Sequence, residues 1–472
     1  MKEAGEIQFL RRENALKDAE NALLRQTIAG LEEKLNFVLS LLSSPKAELV
    51  KKDSHNSSLP PSSDLFGTAV KKNQSLRPSS TLKSGGQLGH AGTTLEMRDR
   101  PDVVIDLTSA VCSRCGTSLS TATPILQARR QVVEIPPIVP IYKEYRQYSC
   151  TCPTCTHEEL PVFPLGVSAP IQYGSSVESL LSYLSVYQYI PYGRLQHLFA
   201  NVFSLPISQG TIGNIMERVA DKCAQYYGDI KTQIAESQVV GSDETGAKVN
   251  GKKAWIWVWQ NTEATYIVPS DNRGARTVDQ VFENGLPNAT LVSDRFNAQL
   301  KTKSKANQMC LAHIKRDAIY LEETEKHPFA CQFNQFISEV FAVKKEQIEQ
   351  NQAFVQGQQE AQIMEQKLNE LLAITIIDEK YKQTKTLQNS MIKNRNALLP
   401  CLYNLDIPPD NNGSERAIRM VKVKQKISGQ FKSGQTAFCT IRSVIDTIKK
   451  RGEQILEELS NIITNSAKAE PV

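Results

Sequence analysis

The stretch Gln238-Val-Val-Gly-Ser-Asp-Glu-Thr-Gly-Ala-Lys-Val249 opens the part of the chain that decides its fold. It reads as a strand, and Lys253–Gln260 and Ala264–Pro269 read as two more strands after tight turns. Ala275–Glu283 then takes on helical spacing. Ala289-Thr-Leu-Val-Ser-Asp294 is a short apolar strand ending in a carboxylate, and Gln308-Met-Cys-Leu-Ala-His313 reads as a fifth strand.

Three antiparallel strands, a helix and further strands is the element order of an RNase H-like core. In that order the first and fourth strands are neighbours, so Asp243 and Asp294 are expected to face one pocket. A third acid is expected from a later helix. The candidate is Glu415, in Asp410-Asn-Asn-Gly-Ser-Glu-Arg-Ala-Ile-Arg-Met-Val-Lys-Val-Lys-Gln-Lys426.

Three clustered carboxylates suit phosphodiester chemistry. Two Mg²⁺ or Mn²⁺ ions roughly 4 Å apart activate an attacking oxygen and stabilise the leaving one. Such hard cations prefer oxygen ligands. Each acid also has a plainer reading: Asp243 as a turn residue, Asp294 as a polar strand end, Glu415 as the glutamate of a capping box begun by Asn412. The helix behind Glu415 carries Arg416, Arg419, Lys422, Lys424, Lys426 and Lys432, with no acid among them. A charge run is commonly a solvated face; directly after a candidate metal ligand, it is expected to lie along DNA phosphates.

Outward from this core, Lys315–Leu399 reads as a Gln- and Glu-rich helical insertion, either a separate helical domain or a surface for DNA or a partner subunit. Upstream, Val177–Leu198 and Pro206–Arg218 read as helices. The second has Ser208 as N-cap, and together they are a helix-turn-helix candidate, although such helix pairs are common in helical domains. Before them, Gln131–Val139 and Tyr142–Tyr148 read as short strands bracketed by Cys112-Ser-Arg-Cys115 and Cys152-Pro-Thr-Cys155. Two such knuckles offer four thiolates to one structural Zn²⁺, and Cys150 competes as a ligand. Residues 46–100 form a basic, Ser/Pro/Gly-rich linker that has too few apolar residues for a core. Residues 7–42 carry heptads, with Ile7, Asn14, Asn21, Ile28, Leu35 and Leu42 on one seam position. They are read as a self-associating coiled coil or, alternatively, a lone amphipathic helix.

The chain thus reads as multidomain α/β. Its expected parts are a coiled coil at 1–45, a linker at 46–100, a small β-rich zinc-binding domain at 101–168 and a helical DNA-binding domain at 169–236. The catalytic core follows in two parts, 237–318 and 401–465, around a helical insertion at 319–400. At 472 residues the chain has room for several domains, and a net charge of +5 permits nucleic-acid binding without arguing for it. The charged start Met1-Lys-Glu-Ala-Gly-Glu is no secretory signal, and no apolar run approaches the roughly 20 residues of a bilayer span. The expected setting is a reducing cytoplasm, where paired cysteines point to metal more than to disulfides.

At these residues the chain resembles the IS66 family of bacterial insertion-sequence transposases. The likeness runs through Asn56–Asp64, Gly85–His90, Pro170–Gly174, Tyr187–Arg194, Asp243-Glu-Thr245, Cys310-x-x-His313 and Asp410–Arg419, in that order. The resemblance implies a DDE transposase with Asp243, Asp294 and Glu415 as the metal-binding triad. It also implies an upstream zinc-binding domain, and cut ends held by a multimer. The implied partners are insertion-sequence ends, target DNA, a second copy through the coiled coil and accessory proteins of the element. After Asp294 this chain has Arg-Phe-Asn where the family more often has a Gly-Tyr type pair. The C-terminal element is reduced to Thr440–Ile463. The alternative function is a catalytically silent DNA-binding regulator derived from such an enzyme; a non-DNA hydrolase ranks below both.

Overall fold

A computed structural model describes residues 94–466, with the isolated positions Lys17, Gly89 and Gly92. The heptads of 1–45, and nearly all of the 46–100 linker before residue 94, lie outside the described residues. Contacts divide the chain into two compact units, one holding Leu311–Leu398 and the other running to Cys310 and again from Leu399.

The larger unit opens on two short strands, β1 (Cys150–Thr151) and β2 (Glu158–Glu159). Four helices follow: α1 (Ser175–Ser182), α2 (Tyr192–Val202), α3 (Gln209–Lys222) and α4 (Ala224–Glu236). Then come β3 (Val239–Val249), β4 (Lys252–Gln260), β5 (Thr265–Ser270), α5 (Ala275–Val281), β6 (Leu286–Ser293), α6 (Asn297–Leu300) and β7 (Ser304–Met309).

The second unit contains α7 (Leu311–Thr324), α8 (Pro328–Gln350), α9 (Gln359–Leu372) and α10 (Lys382–Lys393). The chain returns to the larger unit with α11 (Pro400–Tyr403), α12 (Asn412–Ser428), α13 (Gln435–Lys450) and α14 (Ile455–Ser466).

The larger unit is built on a five-stranded mixed sheet of order β5-β4-β3-β6-β7. β3, β4 and β5 run antiparallel, whereas β3, β6 and β7 run parallel. Asn250 and Gly251, both at positive φ (47° and 78°), make the β3–β4 turn, the conformation that the right-handed twist of a two-residue hairpin requires. In β4, Ile256-Trp-Val-Trp259 is buried at four successive positions, so both faces of the sheet are covered there. The edge strand β5 is closed by side chains. Ile267 N donates to Ser443 Oγ (2.8 Å) and Thr265 N to Thr447 Oγ1 (3.1 Å), both on α13, while Tyr227 Oη donates to the Ile267 carbonyl (2.7 Å). An edge satisfied in this way offers little to a foreign strand.

The helices of 175–236 share one continuous apolar core with the sheet and with α12, α13 and α14. The apolar run from Val177 to Leu198 is not one helix. A π-helical turn at Tyr183–Tyr187 ends it, Tyr189 takes φ 59°, and Pro191 starts α2 from extended backbone. The ring of Pro191 disfavours helix at the residue before it. Ser208 caps α3 as expected, its hydroxyl accepting from Thr211 N at 3.1 Å.

Two further readings need correction. No regular strand forms across Gln131–Tyr148; short pairing is confined to β1–β2 and a bridge between Val111 and Ser118. Pro136, Pro137 and Pro140 lack the amide donors a ladder needs. The expected strand Gln308–His313 stops at Met309. β6 ends opposite it at Ser293, whose carbonyl accepts the last bond from Cys310 N (2.9 Å), and His313 belongs to helix α7.

In the 311–398 unit, Phe329, Phe333, Ile337 and Val340 form the buried stripe of α8 at helical spacing. His327 caps that helix through Nδ1, which accepts from Phe329 N. Glu325 accepts from the amides of Gln383 and Thr384, fixing the start of α10. Among the described residues no helix is long and apolar enough to cross a membrane.

Candidate functional site

Asp243 lies in the middle of β3, paired across the hairpin with Val258 of β4. Asp294 is the first residue past β6, which runs parallel to β3, and Glu415 stands in the first turn of α12. The three stand on adjoining elements, since β6 pairs with β3 and α12 meets β3 where Gly241 faces Ser414. Burial pushes the Asp243 carboxyl well above the usual carboxylate range, and the charges of Asp294, Glu244 and Glu415 add to that rise. The three carboxylates do not all lie within 4.8 Å of one another. A half-buried acid among like charges and oxygen donors is the environment that a hard divalent cation neutralises, so the residues present fit Mg²⁺ or Mn²⁺.

The segment Asp410–Glu415 sets α12 onto the sheet. Asn411 donates through Nδ2 to the Ser242 carbonyl (2.8 Å), and its backbone amide meets Cys310 Sγ at 3.2 Å. Asp410 accepts from both nitrogens of Asn412. Gly241 and Gly413 let the helix start come close. A Cβ at Gly241 would lie 2.5 Å from Ser414 Oγ and 2.6 Å from Gln260 Nε2, and one at Gly413 would lie 2.6 Å from the same Gln260 nitrogen. No side chain caps α12, and Asn412 is already helical with its amide turned to Asp410. The capping-box reading of Asn412 and Glu415 is therefore not what the structure forms.

Residues Glu415, Arg419, Lys422 and Lys426 follow at i, i+4, i+7 and i+11, one stripe along α12. Arg416, Arg419, Lys422 and Lys426 are exposed. Lys422 spends its ammonium on the Gly246 carbonyl (2.9 Å). Lys424 is set apart. Nine residues past Glu415, at about 100° per residue, it falls half a turn away, and burial holds its pKa below that of an ordinary lysine. Lys432 follows the helix in the loop before α13.

A second set of residues borders the site, and of these Glu244 lies in the Asp243-Glu-Thr245 motif whereas Arg273 and Gln299 carry no sequence signal. Glu244 is the ion-pair partner of Arg273 and accepts from Gln299. Arg273 sits in an irregular turn, so no periodicity marks it.

On α3 the exposed positions Asn214, Glu217 and Asp221 carry no free cation. Arg218 and Lys222 both pair with the buried Glu178, at 2.6 and 2.7 Å. This face is poorly suited to a phosphate backbone.

The cysteine knuckles have matching geometry. Cys112 N donates to the Thr117 carbonyl and Gly116 N to the Cys112 carbonyl; Cys152 N donates to the His157 carbonyl and Thr156 N to the Cys152 carbonyl. Gly116 and Thr156 occupy the same place in the two turns, at φ 74° and 61°. Hydrogen bonds from Thr117 and from Cys112 lower the Cys115 thiol pKa, and those from Cys155 and Thr154 lower that of Cys152. Each knuckle gathers its own two sulfurs, and the four together are not within 4.8 Å of one another. Cys150 lies on β1, ahead of the second turn. Paired thiols on tight turns fit zinc in donor chemistry and spacing.

The description "Transposase IS66 family" matches residues 170–438, more than half of the chain. The chain belongs to the IS66 transposase family. A second match, to the zinc-finger binding domain of transposase IS66, covers residues 109–156 and includes both knuckles. No curated protein matches the chain. The IS66 match spans Asp243, Asp294 and Glu415 together with the first residues of α13, so all three acids lie within the family region.

Proposed function

We propose that this IS66-family chain is a DDE-type DNA transposase that cleaves insertion-sequence ends and joins them to target DNA. The observation that carries this reading is geometric: Asp243 lies in β3, Asp294 follows β6, which pairs with β3, and Glu415 stands in the first turn of α12, which meets β3 at Gly241. The sheet order, with three antiparallel strands and two parallel ones, supports an RNase H-like core. Two divalent cations held by these acids would supply activation of the attacking oxygen and charge neutralisation at the leaving oxygen. The chain's own residues would do the rest. Asp243, Asp294 and Glu415 hold the cations. Asn411 and the two glycines fix Glu415 against β3. Arg416, Arg419 and Lys426 lie along the phosphates of the bound strand, joined by Lys422 through the part of its charge left exposed.

Cys112, Cys115, Cys152 and Cys155 are proposed to hold one structural zinc that ties the two knuckles together. Residues 101–168 would then be the zinc-binding domain and 1–45 a coiled coil that pairs two copies. The insertion at 319–400, and the surfaces of the 169–236 helices other than the Glu178-paired face of α3, would serve DNA and partner contacts. Catalytic core segments 237–318 and 401–465 would complete a cytoplasmic, nucleoid-associated enzyme that works with the element's accessory proteins.

The test is strand cleavage and joining on oligonucleotides bearing the element's ends, with Mg²⁺ or Mn²⁺. Wild type is compared with Asp243→Asn, Asp294→Asn and Glu415→Gln. Activity in wild type alone, with DNA binding kept in all four proteins, supports the triad. Tight binding without cleavage, even alongside the accessory proteins, supports a regulator instead.

A further inference from the structure

A carboxylate at the end of a strand is aimed by whatever holds the loop after it. The loop after Asp294 is held by a network centred on Glu244, the residue following Asp243. Gln299 of α6 is buried and donates through Nε2 to Glu244 Oε2 at 2.7 Å. Arg273 donates through Nε and Nη2 to Glu244 Oε1, at 3.0 and 2.9 Å. Its guanidinium approaches two rings, 4.9 Å from the centroid of Trp255 and 4.4 Å from that of Phe296. Phe296 stands two residues past Asp294 and also approaches Trp257, at 6.4 Å between centroids.

Both ends of the 294–300 segment are thereby tied to the strand that carries Asp243. The planar guanidinium is matched to the job, since it makes a two-nitrogen contact with one carboxylate while packing near two rings. Phe296 belongs to the Arg-Phe-Asn triplet that follows Asp294, and its ring lies 4.4 Å from the Arg273 guanidinium.

We propose that Glu244, Arg273 and Gln299 are positioning residues that set the distance between Asp243 and Asp294, and so the affinity of the site for divalent cations. The proposal rests on the reading that those two acids hold the metal. None of the three residues is assigned a role in the chemistry itself.

The full-length chain is titrated with Mn²⁺ by calorimetry in the absence of DNA. Mg²⁺ dependence of single-turnover cleavage, DNA affinity and Tm are measured alongside. Removing an outer partner of a metal ligand costs about 10- to 100-fold in affinity or activity. Arg273→Ala and Gln299→Leu act through Glu244 and not on a ligand itself, so they are expected to weaken Mn²⁺ binding by about threefold to tenfold, at or below the low end of that range, and to raise the Mg²⁺ needed for half-maximal cleavage. DNA affinity should stay within about twofold. Arg273→Lys should not rescue, because a lysine cannot make the two-nitrogen contact, whereas Phe296→Tyr should keep wild-type binding. If Arg273→Ala fails to fold, Gln299→Leu and Phe296→Tyr carry the comparison. Unchanged Mn²⁺ affinity in a folded Arg273→Ala or Gln299→Leu protein, with only Tm lowered, overturns the proposal and leaves the triad reading intact. Absence of Mn²⁺ binding in wild type overturns both.

Discussion

A Cβ on Gly241 would stand 2.5 Å from Ser414 Oγ, so the strand that carries Asp243 and the helix that carries Glu415 meet where no side chain fits between them. Gly241→Ala forces Ser414 Oγ and Gln260 Nε2, both side-chain atoms, to turn aside, or α12 to move with them, two residues before Asp243. Overpacking of this kind costs about 1–3 kcal/mol, and if α12 gives way, cleavage should fall by more than the stability loss suggests, because that helix holds Glu415. Gly246→Ala on the same strand is the control. Its Cβ would meet only Trp255, at an ordinary 3.7 Å. Comparing Tm and single-turnover rates of the two variants checks this; equal rates would mean that the contact does not position Glu415.

Asp243 gives a prediction whose sign is unusual for a proposed catalytic acid. Its folded-state pKa lies above the ordinary value, first through burial and then through Asp294 and Glu244. A raised carboxylate pKa means that the group's contribution to stability is fullest below its unfolded pKa near 3.9 and is lost as pH rises through the folded value. At pH 7–8 without metal, above the unfolded pKa, the group therefore destabilises the fold, whether it is held ionised or has to take up a proton. Asp243→Asn should raise Tm by roughly 2–4 °C, the shift expected for about 1 kcal/mol in a domain of this size. Added Mg²⁺ should then stabilise wild type and not the variant. Thermal melts across pH 5–8, with and without Mg²⁺, read this directly, and a lower Tm for the metal-free variant would contradict the electrostatic account.

The strands from Gln238 to Pro269 were legible because short runs rich in Val, Ile, Trp and Tyr broken by tight turns are local signals. The order in which β6 and β7 joined them followed from topology. What local pattern could not show was the fit between distant residues. Gly241, Gly413 and Gln260 make one close contact from three places in the chain, and Arg273 meets Glu244 from a turn that has no period. The opposite failure occurred at Gln131–Tyr148. Alternation there suggested strands, but the prolines withhold the donors that would pair them. The helix pair α2–α3 was legible as helices, yet its use was not: Arg218 and Lys222 are spent on Glu178, a partner 40 residues away from the nearer of them.

The stripe on α12 separates its basic residues by role. Arg419 and Lys426 are exposed on the side of Glu415, whereas Lys424 is half-buried on the far side. Replacing Arg419 or Lys426 by Ala should weaken binding to DNA of any sequence and reduce the salt slope by about one each. Lys424→Ala should leave the slope unchanged. Binding isotherms between low and moderate salt decide the matter, and a slope that falls equally for all three would place DNA on a different face.

The knuckles make the last case, because their two turns differ at one position. Both φ values are positive, but the first turn has Gly116 and the second Thr156. A left-handed conformation costs a β-branched residue roughly 1–2 kcal/mol that glycine does not incur. Gly116→Val should therefore loosen the first knuckle, and Thr156→Gly should tighten the second, less the bond from Thr156 Oγ1 to the Cys155 carbonyl. If four thiolates share one zinc, the protein as purified should carry one equivalent. Gly116→Val should release it to a chelator faster than wild type and Thr156→Gly more slowly. Cys→Ser at 112, 115, 152 or 155 should lose the metal, while Cys150→Ser, altered ahead of the turn, should retain it. Loss of zinc from the Cys150 variant with retention in the Cys152 variant would move the fourth ligand onto β1.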